Sequence, residues 1–468
     1  MNFNSSEFAL FLPLVLLLYA IVFHSERLRD GLLLLASYVF YMAWYWQYAG
    51  LIAFSTCVDY VIGRRMAAEK NKKKRKLLLI ISLTTNLGLL AIFKYFNFFA
   101  GTTSEVFKAM GMDVPIIYHE LLLPVGISFY TFQTLSYTID IYRGRIDHEP
   151  NFIKFATFVS FFPQLVAGPI VRAADFLPQL NRTPNVSQAQ FNFGLMLVFI
   201  GLFKKIVIAD LLAHLAVDAV FQNPSGFSSW DLLMALYAYT FQIYCDFSGY
   251  TDIAIGVAAM FGFVLPQNFN RPYISQSVRE FWTRWHISLS SWLRDYLYIS
   301  LGGNRGTRVR TAFNLMITML LGGLWHGAAM NFIYWGGYHG LLLVLAHFFG
   351  SREESPSFFK KFYRQIITFH LIVFGWLLFR VTDMQNFVDY TGGLASSDLS
   401  GTQLSPLFYT ILLIAILMHL IPRDWISNHI LNPFHRLPVI FRAGVYSAAL
   451  LLFLGFTLDA PSFIYFQF

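Results

Sequence analysis

Long apolar segments alternate with short polar stretches along most of this 468-residue chain. A helix that crosses a lipid bilayer needs about 20 largely apolar residues. The pattern therefore predicts an all-α polytopic membrane protein with some incomplete spans, in which residues 1–468 form a single integral membrane domain. The more polar stretches 100–120 and 172–190 are predicted to be connections. The predicted apolar segments are 8–23, 32–46, 51–63, 77–99, 121–139, 155–171, 191–215, 230–264, 311–325, 328–349, 363–380, 406–421 and 440–458.

Some of these segments contain residues that are unfavourable in lipid. Pro124 and Gly126 interrupt one of them, and an interrupted helix is tolerated in a membrane where protein buries its backbone or where it lines a cavity. Asp246 and Asp252 lie within another, and carboxyl groups at such positions indicate a polar interior.

Basic residues are concentrated in two loops. Residues 64–76 carry eight basic residues and one Glu, and residues 271–310 carry seven arginines against one Glu and one Asp. The resulting net charges of +7 and +5 place both loops in the cytoplasm by the positive-inside rule, which puts the N-terminus outside, in the periplasm. Lys204 and Lys205 are predicted to extend along apolar surface to the membrane interface.

Composition narrows the class of protein further. The chain is 56% hydrophobic and only 13% charged, whereas ordinary soluble domains are about 25% charged. The formal net charge of +8 is concentrated in the two loops, so nucleic-acid binding is not favoured. Cys57 and Cys245 lie in apolar segments without metal-ligand spacing, and we expect both to be inert packing residues.

Residues 278–296 have a different pattern, with apolar side chains at helical spacing and charged groups on much of the other face. The pattern predicts one amphipathic helix that lies at the cytoplasmic interface or dips between helices. His286 falls in the row of Trp282, Leu289 and Leu293, so its side chain is predicted to point inward.

His326 is the main candidate for chemistry, because it lies in an otherwise apolar segment with Gly323 and Gly327 nearby. A neutral imidazole there could accept a proton from a hydroxyl group during acyl transfer. The alternative is a hydrogen-bonded structural histidine. His339 is thirteen residues further on and is not aligned with His326 on a helix, so a zinc site is not expected.

The stretch Gly302-Gly303-Asn304-Arg305-Gly306 predicts a glycine-rich cytoplasmic turn. Turns of this kind can hold phosphate groups, so Asn304 and Arg305 are candidates to bind a phosphate-bearing acyl donor. The alternative is a solvated basic turn.

Four stretches resemble the membrane-bound O-acyltransferase family, in its bacterial branch that O-acetylates exported polysaccharides. They are FNRPYISQSVREFWTRWHISLSSWLRDYLYISLGGNR (269–305), MLLGGLWHGAAMNFIYWGGYHG (319–340), FFPQLVAGPIVR (161–172) and YCDFSGYTDIAIG (244–256). The resemblance implies a ring of transmembrane and re-entrant helices around a central tunnel. It also implies that His326 and His286 are catalytic histidines, with Trp285 and Trp325 packing the tunnel wall.

The C-terminal FIYFQF (463–468) resembles the end of a small membrane peptide of the teichoic-acid system, in which a tyrosine is proposed to relay the acyl group. The resemblance implies that Tyr465 receives the acetyl group near His326 and passes it outward. The alternative is a tyrosine of the interfacial aromatic belt.

The function implied is that of an inner-membrane subunit that moves acetyl from a cytoplasmic donor, acetyl-CoA, toward an exported polysaccharide such as alginate or cellulose. No permanently bound cofactor or metal is expected. Expected partners are periplasmic or membrane-anchored acetyltransferase subunits, the polysaccharide acceptor and membrane lipids. Peptidoglycan O-acetylation is the alternative within the family. Alternatives of other classes are a transporter, which normally shows repeated halves, and a structural scaffold.

Overall fold

Every regular element in the described part of the chain is a helix. The structure is a computed structural model that describes residues 1–112, 122–184, 186–350, 357–396, 398, 401–456 and 463–464. The chain forms two compact units, one of Met1–Phe191 with Val257–Pro266 and the other of Asn192–Gly256 with Gln267–Phe468. The predicted all-α class is confirmed for the residues that are described.

The described residues of the first unit include nine α-helices that lie wholly within it. A π-helical turn, Ala91–Tyr95, joins the fourth and fifth into one continuous stretch. The helices are α1 Ser6–Val22, α2 Glu26–Met42, α3 Ala49–Ala68, α4 Lys72–Leu90, α5 Phe96–Ala109, α6 Ile127–Tyr142, α7 Phe152–Ser160, α8 Phe162–Leu165 and α9 Ala173–Leu180.

Two predicted connections of this unit contain helix instead. The polar segment 100–120 is helical as far as the end of α5, and α9 occupies part of 172–190. The predicted interruption near Pro124 and Gly126 is confirmed, because α6 begins at Ile127, directly after Gly126. Gly126 has a left-handed φ of 78°, and a Cβ there would lie 2.7 Å from the Leu165 carbonyl oxygen. Glycine alone fits both constraints comfortably.

The helix α10 (Gln188–Leu202) leads into the second unit, and π-helical turns at Phe203–Asp210 and Ala213–Val217 follow it. A further π-helical turn, Leu293–Tyr298, continues α14, and another, Ser427–Leu431, follows α20. The other helices are α11 Asp218–Gln222, α12 Ser229–Met260, α13 Val278–Arg284, α14 Ile287–Trp292, α15 Arg308–His326, α16 Met330–Phe349, α17 Phe358–Arg380, α18 Met384–Ala395, α19 Pro406–Leu420, α20 Arg423–Ile426, α21 Asn432–Arg436 and α22 Val439–Phe456.

The prediction of one continuous amphipathic helix over 278–296 is wrong. The helix ends at Arg284 and a new one begins at Ile287, because His286 has a left-handed φ of 43°. The inward direction of His286 is nevertheless confirmed, since its exposed fraction is 0%.

The snorkelling prediction is wrong for Lys205, whose side chain is only 1% exposed. Its ammonium group lies 2.8 Å from a carboxylate oxygen of Asp246 and 2.8 Å from one of Asp210. A buried ammonium needs such partners to offset its desolvation. Asp246 and Asp210 therefore belong to a polar interior, as the position of Asp246 in the sequence predicts.

Three helical stretches of the described residues are long and apolar enough to cross a membrane: Lys72–Ala109, Met330–Phe349 and Phe358–Arg380. Shorter apolar helices occur at Ser6–Val22, Pro406–Leu420 and Val439–Phe453. Long apolar side chains remain exposed along them, such as Leu10, Leu17 and Phe359. Apolar surface of this extent is suited to contact with lipid.

Close contact between α10 and α12 generates the first testable prediction. A Cβ on Gly256 would lie 2.5 Å from the Gly194 carbonyl oxygen, so the two backbones touch. We expect Gly256→Ala to separate the helices and to lower the free energy of unfolding by roughly 1–3 kcal/mol. Gly392→Ala is the matched control, because a Cβ at this helical position meets nothing within 4 Å. Thermal unfolding in detergent measures both variants, and equal melting temperatures would contradict the prediction.

Candidate active site

His326 is the last residue of α15 and is held at the closed end of a helical hairpin. A Cβ on Gly323 would lie 2.2 Å from the Phe332 carbonyl oxygen, and one on Gly336 would lie 2.5 Å from that of Met319. Only glycine at these positions lets the backbones of α15 and α16 approach so closely. The turn between the helices is therefore tight, and His326 cannot move away from α16.

Aromatic rings enclose the His326 imidazole. Its centroid lies 5.2 Å from that of Trp325, 5.0 Å from that of Trp335 and 5.4 Å from that of Phe379, each in an edge-to-face arrangement. The residue is only 5% exposed. An imidazole in such surroundings is shielded from bulk water and held in one orientation.

His326 also lines a cavity of about 240 Å³, called here the His326 cavity. Apolar and aromatic side chains form most of its wall, and Gly322 lies in it where a Cβ would come within 3.2 Å of Leu293. Arginines contribute the only positively charged side chains among its described lining residues. The lining residues are Arg279, Trp282, Leu289, Ser290, Leu293, Arg294, Tyr298, Leu315, Thr318, Met319, Gly322, His326, Trp335 and Leu343.

His286 is fixed by a short segment that precedes it in the chain. The backbone N–H of Ile287 donates to the Asn268 carbonyl, and the N–H of Asn270 donates to the Arg284 carbonyl, both at 2.9 Å. These two bonds hold the chain on either side of His286. They stabilise its left-handed backbone, a conformation that costs a non-glycine residue roughly 1–3 kcal/mol.

The Asn268 side chain determines the tautomer of His286. Its Oδ1 accepts hydrogen bonds from the Ser288 N–H at 3.1 Å and the Ser288 hydroxyl at 2.9 Å, which identifies this atom as the oxygen. His286 Nδ1 lies 3.1 Å from the same oxygen. An amide oxygen can only accept, so Nδ1 carries the hydrogen, and Nε2 of the neutral ring keeps its lone pair.

The two predicted histidines belong to one cluster. The Trp325 ring lies 6.0 Å from the His286 ring as well as beside His326. His286 lies between two short helices, outside the helices that are long enough to cross a membrane. Its complete burial, together with the nearby His326, lowers the pKa of its imidazole well below the usual value. The neutral form of His286 is therefore the stable one at physiological pH.

The other predicted site residues lie elsewhere or are not described. Asn304 and Arg305 are exposed in the turn after Tyr298, and they are not among the described residues that line the His326 cavity. Their role stays a prediction. Tyr465 lies outside the described residues. No group of three or more His, Cys, Asp or Glu that could hold a metal occurs in the part of the chain that is described.

Sequence reasoning missed three residues of this site. Asn268 gave no signal by itself, because it lies 18 residues before its partner His286 in the chain. Arg279 and Arg294 were interpreted only as cytoplasmic charge, although both line the His326 cavity. Their spacing along 278–296 could have indicated a common face, but the break at His286 changes the helical register.

A buried histidine at the wall of a cavity in an apolar helical chain is typical of an integral membrane enzyme. A model of the membrane-bound O-acyltransferase family matches residues 142–384. A probable alginate O-acetylase of Pseudomonas aeruginosa is 47% identical over 390 residues, which cover 82% of this chain and 73% of that protein. A probable alginate O-acetylase of Azotobacter vinelandii is 43% identical over 429 residues, covering 89% and 83% respectively.

A peptidoglycan O-acetyltransferase of Helicobacter pylori is also similar, at 35% identity over 399 residues that cover 80% of this chain and 74% of that protein. This chain belongs to the membrane-bound O-acyltransferase family. It is accordingly a membrane protein with O-acyltransferase activity, as the motifs in its sequence predict.

The contact between Asn268 and His286 generates a prediction for catalysis. Asn268→Leu removes the acceptor at similar volume, and we expect kcat to fall about tenfold or more because the imidazole loses its fixed tautomer.

Asn268→Asp keeps an acceptor and adds negative charge. It should raise the pKa of His286, so that the acid limb of the pH–rate profile moves to higher pH while activity at high pH is retained.

The measurement is the rate of acyl transfer by purified protein from pH 5 to 9. Asn86→Leu is the control, since Asn86 is a buried amide that donates to Asp59 at 2.8 Å in the first unit. It should lower stability without moving the pH profile. An unchanged kcat in Asn268→Leu, at normal protein level, would refute the role of Asn268.

Proposed function

We propose that this protein transfers acetyl groups from cytoplasmic acetyl-CoA across the inner membrane for O-acetylation of an exported polysaccharide. The observation that carries the proposal is the position of His326, which is buried, enclosed by aromatic rings and in the wall of a cavity that two arginines also line. The similarity to alginate O-acetylases favours a polysaccharide acceptor such as alginate, with cellulose also open.

The His326 cavity suits the thiol arm and phosphates of an acetyl-CoA donor. Its wall is mainly apolar near the histidine, and Arg279 and Arg294 supply positive charge. Guanidinium groups pair with phosphate oxygens in a bidentate manner. Arg294 is 63% exposed at its side chain and pairs with Asp295 at 2.7 Å, so it lies at the edge of the cavity. Asn304 and Arg305 are proposed to add phosphate contacts from the following turn.

The chemical step is a general-base acyl transfer. His326 accepts the proton of the attacking hydroxyl as its oxygen forms a bond to the thioester carbonyl carbon. The carbon–sulfur bond then breaks, and the imidazolium returns the proton to the thiolate. His286 orients the reacting groups from its place beside the Trp325 ring, with the hydrogen on its Nδ1 held by Asn268. Catalysis of this type contributes roughly 10²–10⁴ in rate.

The hydroxyl that first receives the acetyl group is proposed to be that of Tyr465, which would pass it outward. Support comes from the two described residues just before it. The Ile464 N–H donates to Asp246 at 2.9 Å, and the Lys205 ammonium lies 4.6 Å from the centre of the Phe463 ring. The buried ion pair of Lys205 and Asp246 therefore holds Phe463 and Ile464, the residues that precede Tyr465.

Several broader features remain part of the proposal. They are a single domain over residues 1–468, a ring of transmembrane and re-entrant helices around a central tunnel, a periplasmic N-terminus, and periplasmic or membrane-anchored acetyltransferase partners. The peptidoglycan O-acetyltransferase of Helicobacter pylori supports a second candidate, in which the acceptor is peptidoglycan.

Replacement of His326 tests the enzyme proposal. We expect His326→Ala to lower acetyl transfer by roughly 10²–10⁴, because the hydroxyl loses its base. The measurement is the acetyl content of exported polysaccharide and of peptidoglycan in strains that carry each variant at equal protein level. The polymer that loses acetyl groups identifies the acceptor. His214→Ala, at an exposed position of the second unit, is the control.

A scaffold and a transporter give different results in this experiment. A scaffold would keep full acetylation in His326→Ala. A transporter would give substrate flux in liposomes and no acetyl-CoA turnover with any acceptor. Either result would contradict the enzyme proposal.

Replacement of Tyr465 tests the relay separately. Tyr465→Phe removes only the hydroxyl oxygen, so we expect acetylation of the final acceptor to be lost while acetyl-CoA binding persists. Mass spectrometry of trapped wild-type protein should find an acetyl ester on the C-terminal peptide. Tyr446→Phe is the control, since Tyr446 packs against Phe199 in the same unit. Normal acetylation by accumulated Tyr465→Phe protein would exclude the relay.

A further inference from the structure

The second unit contains another cavity of about 240 Å³, called here the Lys204 cavity. Its walls come from α10, α12, the segment 267–271 and the chain from Ala415 to Leu431. Among the described residues, none lines both this cavity and the His326 cavity. The acyl-transfer step described above does not use it.

Close helix packing places an ion pair in its wall. A Cβ on Gly201 would lie 2.5 Å from the Gly249 carbonyl oxygen, so α10 and α12 touch through their backbones. One turn further along, the Lys204 ammonium lies 2.6 Å from a carboxylate oxygen of Asp252. The pair is largely buried, with side chains 14% and 4% exposed. The two charges neutralise each other, and Arg271 is the remaining charged group among the described lining residues.

His419 presents a hydrogen-bond donor to this region. Its Nε2 lies 3.1 Å from the backbone nitrogen of Tyr273, and that nitrogen is a donor. Nε2 must therefore accept, and the hydrogen of the neutral ring resides on Nδ1. His419 is 3% exposed, and its Nδ1 has no partner among the described residues.

Three other buried lining residues have polar atoms without a partner in the described part of the chain: Asn268, Ser248 and Thr251. The Asn268 oxygen is taken by His286 and Ser288, so the unpartnered atom is Nδ2, with two hydrogens. The unpartnered atoms of Ser248 and Thr251 are hydroxyls, in residues that are each 2% exposed. An unsatisfied buried donor costs about 1–3 kcal/mol. Asn268 Nδ2 and His419 Nδ1 can only donate, and the two hydroxyls can donate as well as accept, so a ligand with several acceptor oxygens satisfies all four groups.

The rest of the wall is mostly apolar, although Gln267 and Asn270 also line it. Phe193, Leu197 and Ile200 line it from α10, and Met418, Ile421, Ile426 and Leu431 line it from the opposite chain segment. Phe193 is 44% exposed, so the apolar wall continues to the protein surface. A ligand that matches this cavity has an oxygen-rich head and an apolar chain.

We propose that the Lys204 cavity binds the phosphate group of an anionic phospholipid, with an acyl chain along its apolar wall. A phosphate diester offers several acceptor oxygens and a negative charge that complements Arg271. Among the described lining residues, Asp252 carries the one negative charge that could attract a cationic head group, and Lys204 already neutralises it. The proposal does not depend on the acyl-transfer assignment, because the two cavities have separate linings.

The experiment compares lipids and variants on the full-length purified protein. Phosphatidylglycerol in mixed micelles should raise the melting temperature more than phosphatidylcholine does, and native mass spectrometry should retain it on the protein. The double variant Ser248→Ala/Thr251→Val removes two donors and should raise the Kd for phosphatidylglycerol by about tenfold or more. Thr240→Val is the matched control, since the Thr240 hydroxyl is buried on the same helix and donates to Leu236.

His326→Ala should bind phosphatidylglycerol as the wild type does. This result would show that lipid binding can be tested independently of acyl transfer. Equal effects of the two lipids would overturn the proposal, as would an unchanged Kd in the double variant. Equal stabilisation by inorganic phosphate without lipid would also overturn it, because the ligand would then be a soluble anion.

Discussion

The backbone contact between α15 and α16 is the constraint on which the candidate active site depends. Gly323 and Gly336 bring the two helices so close that each Cβ would collide with a carbonyl oxygen of the other helix. At this separation the ring of Trp335, on α16, reaches the His326 imidazole, which Phe379 of α17 also encloses. Glycines with no chemical function of their own thus determine where the His326 imidazole lies. Substitution of either glycine would displace the imidazole without altering it.

Buried charge gives the second unit a further fixed point. Lys205 lies between Asp246 and Asp210, and away from water each of these buried charges is stabilised by the others. Asp246 has two oxygens, and it uses one for Lys205 and the other for the backbone of Ile464. The Asp246 carboxylate therefore both neutralises Lys205 and holds the backbone of Ile464. Because burial of Lys205 requires Asp246 beside it, the same carboxylate is in place to fix Ile464, which is distant in the chain.

The positions of most helices could be predicted from the sequence, because the length of an apolar run is a local property that the bilayer dictates. The break at His286 could not, since apolar spacing continues through Trp285 and the bonds that impose the break come from residues 268 and 270. Lys205 was misjudged for the same reason. Its partner Asp246 lies 41 residues away, and only the fold brings them together. His326 and His286 were found because motifs, unlike periodicity, carry information about distant partners.

The two cavities differ in a way that follows from their polar atoms. The His326 cavity has an imidazole in a largely apolar wall. The Lys204 cavity also has a mainly apolar wall, but it contains buried groups that can donate hydrogen bonds, which suits the retention of a charged group. Asn268 takes part in both arrangements, because its amide oxygen fixes His286 while its amide nitrogen lies among the lining residues of the Lys204 cavity. His286 is not among the described residues that line the His326 cavity, and it lies near His326 through their shared neighbour Trp325. One side chain therefore supports both the orientation of His286 and the wall of the Lys204 cavity.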